Sequence, residues 1–236
     1  MFLSGSLVLP ARRLLVALAY CGFFAVAAIG LALDSPWLGL RLVPQGDGVV
    51  VRSSAGPSAQ VPAGAQLVAI RAGGTTLDLA AGDLQEEPDV ADTYEQMDAF
   101  FDRQSQLAAV IAAPAVTLEW REQADAPLRE TTVRPDTRPM SSLPMAFWFQ
   151  LLVSSAGCLI AAWVWSLRPG EWGVRMFAIT GASFPAFAMP AAVYSARELA
   201  IDGGLFRTLS ALNHWGSFMF GAALVSIFLC SPRRLV

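Results

Sequence analysis

The chain has 236 residues, 55% of them hydrophobic, and its formal net charge at pH 7 is −3. This charge argues against nucleic-acid binding, because that function needs a basic face. One histidine and three cysteines, all three cysteines in apolar runs, argue against a zinc site. We therefore expect no metal, no cofactor and no nucleic-acid partner.

Four uncharged apolar runs are each long enough to cross a bilayer. About 20 apolar residues, rising 1.5 Å each in a helix, cover a hydrocarbon core of roughly 30 Å. Lipid offers no hydrogen bonds to the backbone, so such a run has to be helical. The sequence therefore predicts a membrane α-helical bundle of four transmembrane helices, formed by Leu14–Leu33, Leu143–Leu167, Met176–Ala196 and Thr208–Ser231.

The first apolar run has a second interpretation, as a cleaved signal peptide. Arg12 and Arg13 precede it, as a positively charged n-region would. Its length exceeds the usual apolar stretch of roughly 7–15 residues in signal peptides, and a poor cleavage sequence follows it. We predict an uncleaved membrane anchor.

The placement of arginine predicts the orientation, since short cytoplasmic loops collect positive charge. If all four runs span, one side carries three arginine pairs, and that side is predicted to be the cytoplasm: Arg12/Arg13, Arg168/Arg175 and Arg233/Arg234. The other side then holds residues 34–138, in which sixteen acidic residues against eight arginines give a net charge of −8.

The predicted organisation follows from these runs. In chain order it is a cytoplasmic N-terminus (1–13), a transmembrane helix (14–33), an extracytoplasmic domain (34–139), two transmembrane helices (143–167 and 176–196), an extracytoplasmic loop (197–207), a fourth transmembrane helix (208–231) and a cytoplasmic tail (232–236).

Within the extracytoplasmic domain, short β-branched runs alternate with turn residues, and one longer segment is amphipathic. Apolar residues recur every three or four positions over Thr93–Ala112, which predicts a helix with Asp92 as its N-cap. Glycine-rich stretches separate the β-branched runs. The predicted strands are Leu38–Val43, Gly48–Arg52, Gln66–Arg71, Thr75–Leu79, Val116–Arg121 and Leu128–Arg134.

Three stretches of this domain carry a family resemblance: Trp37-Leu-Gly-Leu-Arg-Leu, the segment from Gly48 to Ile70 and Val116-Thr-Leu-Glu-Trp-Arg. With this order of elements the domain resembles a PDZ domain, an α+β fold. The resemblance implies that the loop around Leu38, Gly39 and Leu40 offers backbone N–H groups to the carboxylate of a peptide or protein terminus. A groove that belongs to the core and binds nothing is the alternative.

A second resemblance covers nearly the whole chain. Short stretches such as Tyr194-Ser-Ala-Arg-Glu-Leu-Ala and Leu212-Asn-His-Trp-Gly, with the anchor–domain–helices layout, are similar to the sensor half of certain bacterial histidine kinases. The resemblance implies a multi-pass protein of the bacterial inner membrane, with its domain periplasmic or extracellular. It also implies a sensor of the two-component type, acting as a homodimer or through a partner kinase.

The sequence lacks the phospho-accepting histidine helix and ATP-binding region of such kinases, and it contains neither an H-E-x-x-H nor a G-x-S-x-G pattern. We therefore expect no enzyme and no catalytic residue, but an input module without an output domain of its own. The alternative is a membrane-anchored scaffold or chaperone that binds a partner without signalling.

Polar residues in or beside the membrane runs are further candidate site residues, because such residues are costly there. Asn213 and His214 either bond a neighbouring helix or headgroup water, or, together with Tyr194, Arg197 and Glu198, line an outward-facing pocket for a signal or for the PDZ-like domain itself. The third run also contains two prolines, which predict a kink and a hinge for passing a signal, or an inert bend. These are Pro185 and Pro190.

Overall fold

The computed structural model describes residues 4–87, 89, 91–123 and 125–230, without the side chains of residues 4–9 and 230. The predicted tail 232–236, with Arg233 and Arg234, lies outside the described residues. Two compact units make up the chain. The described residues of Ala32–Leu143 and Tyr194–Thr208 form the sheet unit, and those of Met1–Leu31, Pro144–Val193 and Leu209–Val236 form the helical unit.

Five α-helices and six β-strands occur in the described residues. The helices are α1 (Ser4–Leu33), α2 (Tyr94–Ile111), α3 (Met145–Leu167), α4 (Trp172–Ser195) and α5 (Gly203–Cys230). The strands are β1 (Leu40–Gln45), β2 (Gly48–Ser54), β3 (Gln66–Ala72), β4 (Thr75–Asp78), β5 (Val116–Arg121) and β6 (Arg129–Val133).

Four of these helices are long and apolar enough to cross a membrane, as the sequence predicted. The apolar stretches are Pro10–Leu33, Met145–Leu167, Trp172–Ser195 and Gly203–Leu229. They indicate a multi-pass membrane protein. Helices α1, α4 and α5 begin before the predicted apolar runs, because a helix can continue beyond the part of the chain that hydropathy marks. The predicted start of α3 at Leu143 was wrong, because Pro144 is the N-cap and the helix begins at Met145.

The six strands form one antiparallel sheet in the order β1-β2-β3-β5-β6, with β4 paired to β3. Two-residue turns join the hairpins: Gln45 faces Gly48 across the first, and Ala72 faces Thr75 across the second. Both residues of the second turn, Gly73 and Gly74, have positive φ, which suits a two-residue hairpin turn. The glycines at these turns therefore fix the register of the sheet.

Helix α2 occupies the predicted amphipathic segment, but its N-cap is Thr93 and the prediction of Asp92 was wrong. The Thr93 hydroxyl accepts a hydrogen bond from the Gln96 N–H, and the Asp92 N–H bonds the Gln96 side chain. A β-extended threonine directly before the first turn can reach that N–H. On the same helix Tyr94 is exposed, so the buried face begins later than predicted.

The core of the sheet unit lies between the sheet, α2 and the segment Tyr194–Thr208. Leu199 and Ala200, from the segment that joins α4 to α5, belong to the same cluster of buried residues as Leu38, Leu40 and Leu107. This segment, Tyr194–Thr208, is called the docking segment below. Residues 197–207 of it were predicted as an extracytoplasmic loop, and the flanking residues 194–196 and 208 as ends of transmembrane helices. The whole segment is part of the sheet unit.

Within the helical unit, glycines mark the places where helices approach closely. A Cβ atom at Gly216 of α5 would lie 2.8 Å from the backbone nitrogen of Phe187 in α4. A Cβ at Gly181 of α4 would lie 2.1 Å from the Cβ of Ala161 in α3. Small residues at such crossings allow tight packing of membrane helices. Helix α4 is therefore held between α3 and α5 at two glycine contacts.

Candidate functional site

The loop that leads into β1, together with the first residue of that strand (Trp37–Leu40), is called the carboxylate loop, and its shape depends on Gly39. Gly39 has φ +79°, and a Cβ there would lie 1.9 Å from the carbonyl oxygen of Ala55. The Ala55 N–H in turn donates to the carbonyl oxygen of Gly39 at 2.7 Å. Trp37 and Asp136 exchange two backbone hydrogen bonds of 3.0 Å. These contacts fix the backbone of the loop at the start of β1.

A side-chain carboxylate from the docking segment accepts hydrogen bonds from the backbone N–H groups of the carboxylate loop. Glu198 Oε2 lies 2.8 Å from the backbone nitrogen of Leu38 and 3.2 Å from that of Gly39. The first strand was predicted to begin at Leu38, but β1 begins at Leu40. The N–H groups of Leu38 and Gly39 donate hydrogen bonds to Glu198 and not to a neighbouring strand. The loop is thus a built carboxylate site, and an internal carboxylate fills it.

The residue after Glu198 is apolar and fully buried. Leu199 is 1% exposed and packs in the core cluster that includes Leu38, Leu40 and Leu107. A carboxylate on the loop N–H groups beside an aliphatic side chain in the core is the chemistry that a peptide ending in an aliphatic residue would offer. The docking segment therefore supplies both a carboxylate to the loop and an aliphatic side chain to the core.

A buried arginine completes the electrostatics of the site. Arg138 donates from Nη2 to the carbonyl oxygen of Ala196 at 2.6 Å, from Nη1 to that of Ala32 at 3.4 Å and from Nε to Ser142 Oγ at 3.1 Å. Burial lowers the pKa of Arg138, and the charge of Glu198 opposes that shift. Ala32 lies in the last turn of α1 and Ala196 follows α4, so the guanidinium meets carbonyls of the kind that helix ends leave unpaired.

Burial raises the pKa of Glu198 above its ordinary value, while hydrogen bonds from the loop N–H groups and the charge of Arg138 act in the opposite direction. The raised pKa means that the folded protein binds the proton of the Glu198 carboxyl group more tightly than the unfolded chain does. The contribution of Glu198 to the free energy of unfolding is therefore largest at low pH. That contribution is lost as pH rises from about 4, the ordinary glutamate pKa, through the raised folded pKa.

The variant Glu198→Gln is expected to remove this pH dependence. Thermal unfolding of the full chain in detergent between about pH 4 and 8 should show the parent losing Tm relative to the variant as pH rises. Glu95→Gln on the exposed face of α2 is the matched control and should follow the parent. Parallel curves for the parent and Glu198→Gln would contradict the assignment.

The remaining predicted residues of the docking segment anchor it elsewhere on the sheet unit. The Tyr194 hydroxyl donates to Glu87 Oε1 at 2.8 Å, and its ring stacks on Phe206 at 5.1 Å. Arg197 donates to the carbonyl oxygens of Tyr194 and Gln85 and lies 4.8 Å over the Phe206 ring. Burial lowers the pKa of Arg197 to about 10, so it stays charged at neutral pH. Tyr194 and Arg197 therefore fix the segment rather than face the carboxylate loop.

The C-terminal end of the docking segment is in direct contact with α2. The Gly203 N–H donates to Ser105 Oγ at 3.0 Å, and a Cβ at Gly203 would lie 2.0 Å from the carbonyl oxygen of Phe101. Arg207 forms a 2.6 Å ion pair with Asp98. Both ends of the segment are thus held by the same unit.

Asn213 and His214 belong to the other, helical unit. The Asn213 side chain donates to the carbonyl oxygen of Phe187 at 2.9 Å, and His214 Nδ1 lies 2.7 Å from the carbonyl oxygen of Ser210. Phe187 lies three residues before Pro190, in the turn whose hydrogen bonding a proline perturbs. Helix α4 is continuous through Pro185 and Pro190. Their hinge role, and a ligand role for Asn213 and His214, stay predictions.

The sequence analysis placed Leu38–Leu40 in a peptide groove and Glu198 in a pocket for a signal or for the PDZ-like domain, and the structure brings Glu198 into direct contact with Leu38 and Gly39. It missed Arg138 and Leu199. A usable signal existed for Leu199, since an acidic residue followed by Leu-Ala-Ile is unusually apolar for an exposed connection. Among the described residues no cluster of metal-ligating side chains occurs.

Comparisons of the chain with protein-family models, with curated proteins and with solved structures found no match.

Proposed function

We propose that this protein is a membrane sensor module, the input part of a signalling system of the histidine-kinase type, whose PDZ-like domain on the outer face of a bacterial inner membrane receives a peptide or protein terminus. The arginine distribution supports this orientation. The hairpin order and the loop before β1 support the PDZ-like assignment. The module itself performs no catalysis and acts on a partner or on a second copy.

The observation that carries the proposal is the double role of the docking segment. It fills the carboxylate loop with Glu198 and the core with Leu199, and it is also the only covalent link between α4 and α5. A ligand that takes the place of Glu198 and Leu199 detaches the docking segment from the carboxylate loop and from the core of the sheet unit. Occupancy of the loop is thereby coupled to two apolar helices through the chain itself.

Displacement is chemically reasonable because the internal carboxylate is held at a cost. Burial raises the pKa of Glu198 even against the loop N–H groups, so the charged group is less well solvated there than in water. A terminal carboxylate brings the same charge, and its own backbone can add hydrogen bonds along a strand edge. The competition is therefore between similar groups, and the ligand needs enough affinity to outweigh the effective concentration of the tethered Glu198.

The test places spin labels two residues before α4 and near the far end of α5 in the full chain, in nanodiscs. Gly170→Cys and Leu229→Cys carry the labels in a background in which the native cysteines are replaced by alanine. Both positions are exposed, and a Cβ at Gly170 meets no atom within 4 Å. A peptide ending in leucine with a free carboxylate should shift the distance distribution, and the same peptide with an amidated terminus should not.

The variant Glu198→Ala should shift the distribution without peptide, because the loop is then empty of its internal carboxylate. Glu95→Ala, an exposed change on α2, is the control and should leave it unchanged. Binding of the peptide, measured by fluorescence anisotropy, with an unchanged distribution would instead make the protein an anchored scaffold. Absence of binding even in Glu198→Ala would reduce the loop to a structural cap.

A further inference from the structure

A groove in the helical unit lies between α1, α3 and α4, and its two ends differ in chemistry. Its volume is about 510 Å³. At one end Arg13 lies over the ring of Trp165, with 4.7 Å between the guanidinium carbon and the ring centroid. Arg175 lines the same groove and donates from Nε to the carbonyl oxygen of Pro169 at 2.9 Å. This end therefore carries two positive charges.

The rest of the groove is apolar and runs at membrane depth. Its far end is marked by Tyr20, whose hydroxyl donates to the carbonyl oxygen of Ala182 at 2.9 Å, and by Cys158. From Arg13 to Tyr20 the chain advances two helical turns, or about 10 Å. Alanine, valine and isoleucine side chains line the space between the two ends. The apolar lining of this groove suits an acyl chain and does not suit a polar ligand.

We propose that this groove binds one phospholipid with an anionic headgroup, its phosphate on Arg13 and Arg175 and one acyl chain along the channel toward Tyr20. Arginine suits this role because its planar guanidinium binds phosphate oxygens in pairs. Its long apolar stem lets the charge reach the interface from a position within the apolar helix. The two arginines lie on the predicted cytoplasmic side, where anionic lipids give the membrane its negative surface potential.

The experiment is native mass spectrometry of the full chain released from detergent, after equilibration with phosphatidylglycerol or with phosphatidylcholine of the same acyl chains. The parent should retain one anionic lipid per chain, with at least about a tenfold preference over phosphatidylcholine, as two interfacial arginines would give. Arg13→Gln combined with Arg175→Gln should lose this preference. Arg13→Lys combined with Arg175→Lys keeps the charge and should retain most of it.

Two further variants separate the groove from surface charge. Arg12→Gln removes an exposed neighbour that does not line the groove and should bind lipid as the parent does. Ala178→Trp fills the groove while keeping both arginines in the chain, and it should abolish retention of both lipids. Retention by Ala178→Trp, displacement of the lipid by sodium phosphate alone, or equal loss in Arg12→Gln would overturn the proposal.

Discussion

Replacing Gly39 by alanine is expected to lower the free energy of unfolding of the sheet unit by at least about 3 kcal/mol. Two causes act together. A non-glycine residue at φ +79° costs about 1–2 kcal/mol, and the new Cβ would overlap the carbonyl oxygen of Ala55 at 1.9 Å. The carboxylate loop has to move, and the hydrogen bonds from Leu38 and Gly39 to Glu198 are lost with it.

Gly64→Ala separates the two causes. Gly64 has φ +88°, yet a Cβ there meets no atom within 4 Å, so only the backbone cost of about 1–2 kcal/mol remains. Pulse proteolysis of the full chain in detergent, across a urea series, measures both variants. If Gly39→Ala and Gly64→Ala lower the free energy of unfolding equally, the close approach of Gly39 to Ala55 makes no contribution to stability.

The variant Arg138→Met is expected to destabilise the sheet unit by about 3–5 kcal/mol, the usual cost of removing one member of a buried charged network. The carbonyl oxygens of Ala32 and Ala196 lose their donor, and the buried carboxylate of Glu198 loses the cation that opposes its pKa shift. Urea-dependent proteolysis gives the magnitude. Arg52→Met, at an exposed arginine on β2, should change stability by less than about 0.5 kcal/mol.

A double-mutant cycle tests whether Arg138 acts through Glu198. Arg138→Met together with Glu198→Gln should cost less than the sum of the two single changes, because a neutral side chain no longer needs the cation. Strict additivity would mean that Arg138 acts only through the backbone carbonyls.

Local patterns in the sequence predicted most of the elements. Hydropathy located the four apolar helices, β-branched runs located the strands, and glycine-containing stretches located the hairpin turns. Each of these signals lies within a few residues of the element it describes. The same locality explains the error at Asp92, since two adjacent residues can each serve as a cap and only backbone geometry decides between Asp92 and Thr93.

The carboxylate site was beyond such patterns. Its two halves, Leu38 and Glu198, are 160 residues apart in the chain, and two apolar helices lie between them. Periodicity carries no information about contacts at that separation. The polarity of Arg197 and Glu198 favoured an exposed loop, and only the three-dimensional arrangement gives Glu198 its partners and Leu199 its place in the core.

The split composition of the sheet unit sets an order of assembly during synthesis. Residues up to Leu143 leave the ribosome first, but Leu199 and Ala200 follow only after α3 and α4 have been made. Until then the nascent domain has an unfilled hydrophobic slot beside Leu38 and Leu107 and an unoccupied carboxylate loop. The core of the sheet unit can therefore be completed only after α4 has been synthesised, so folding of this unit depends on synthesis of the apolar helices that precede Leu199.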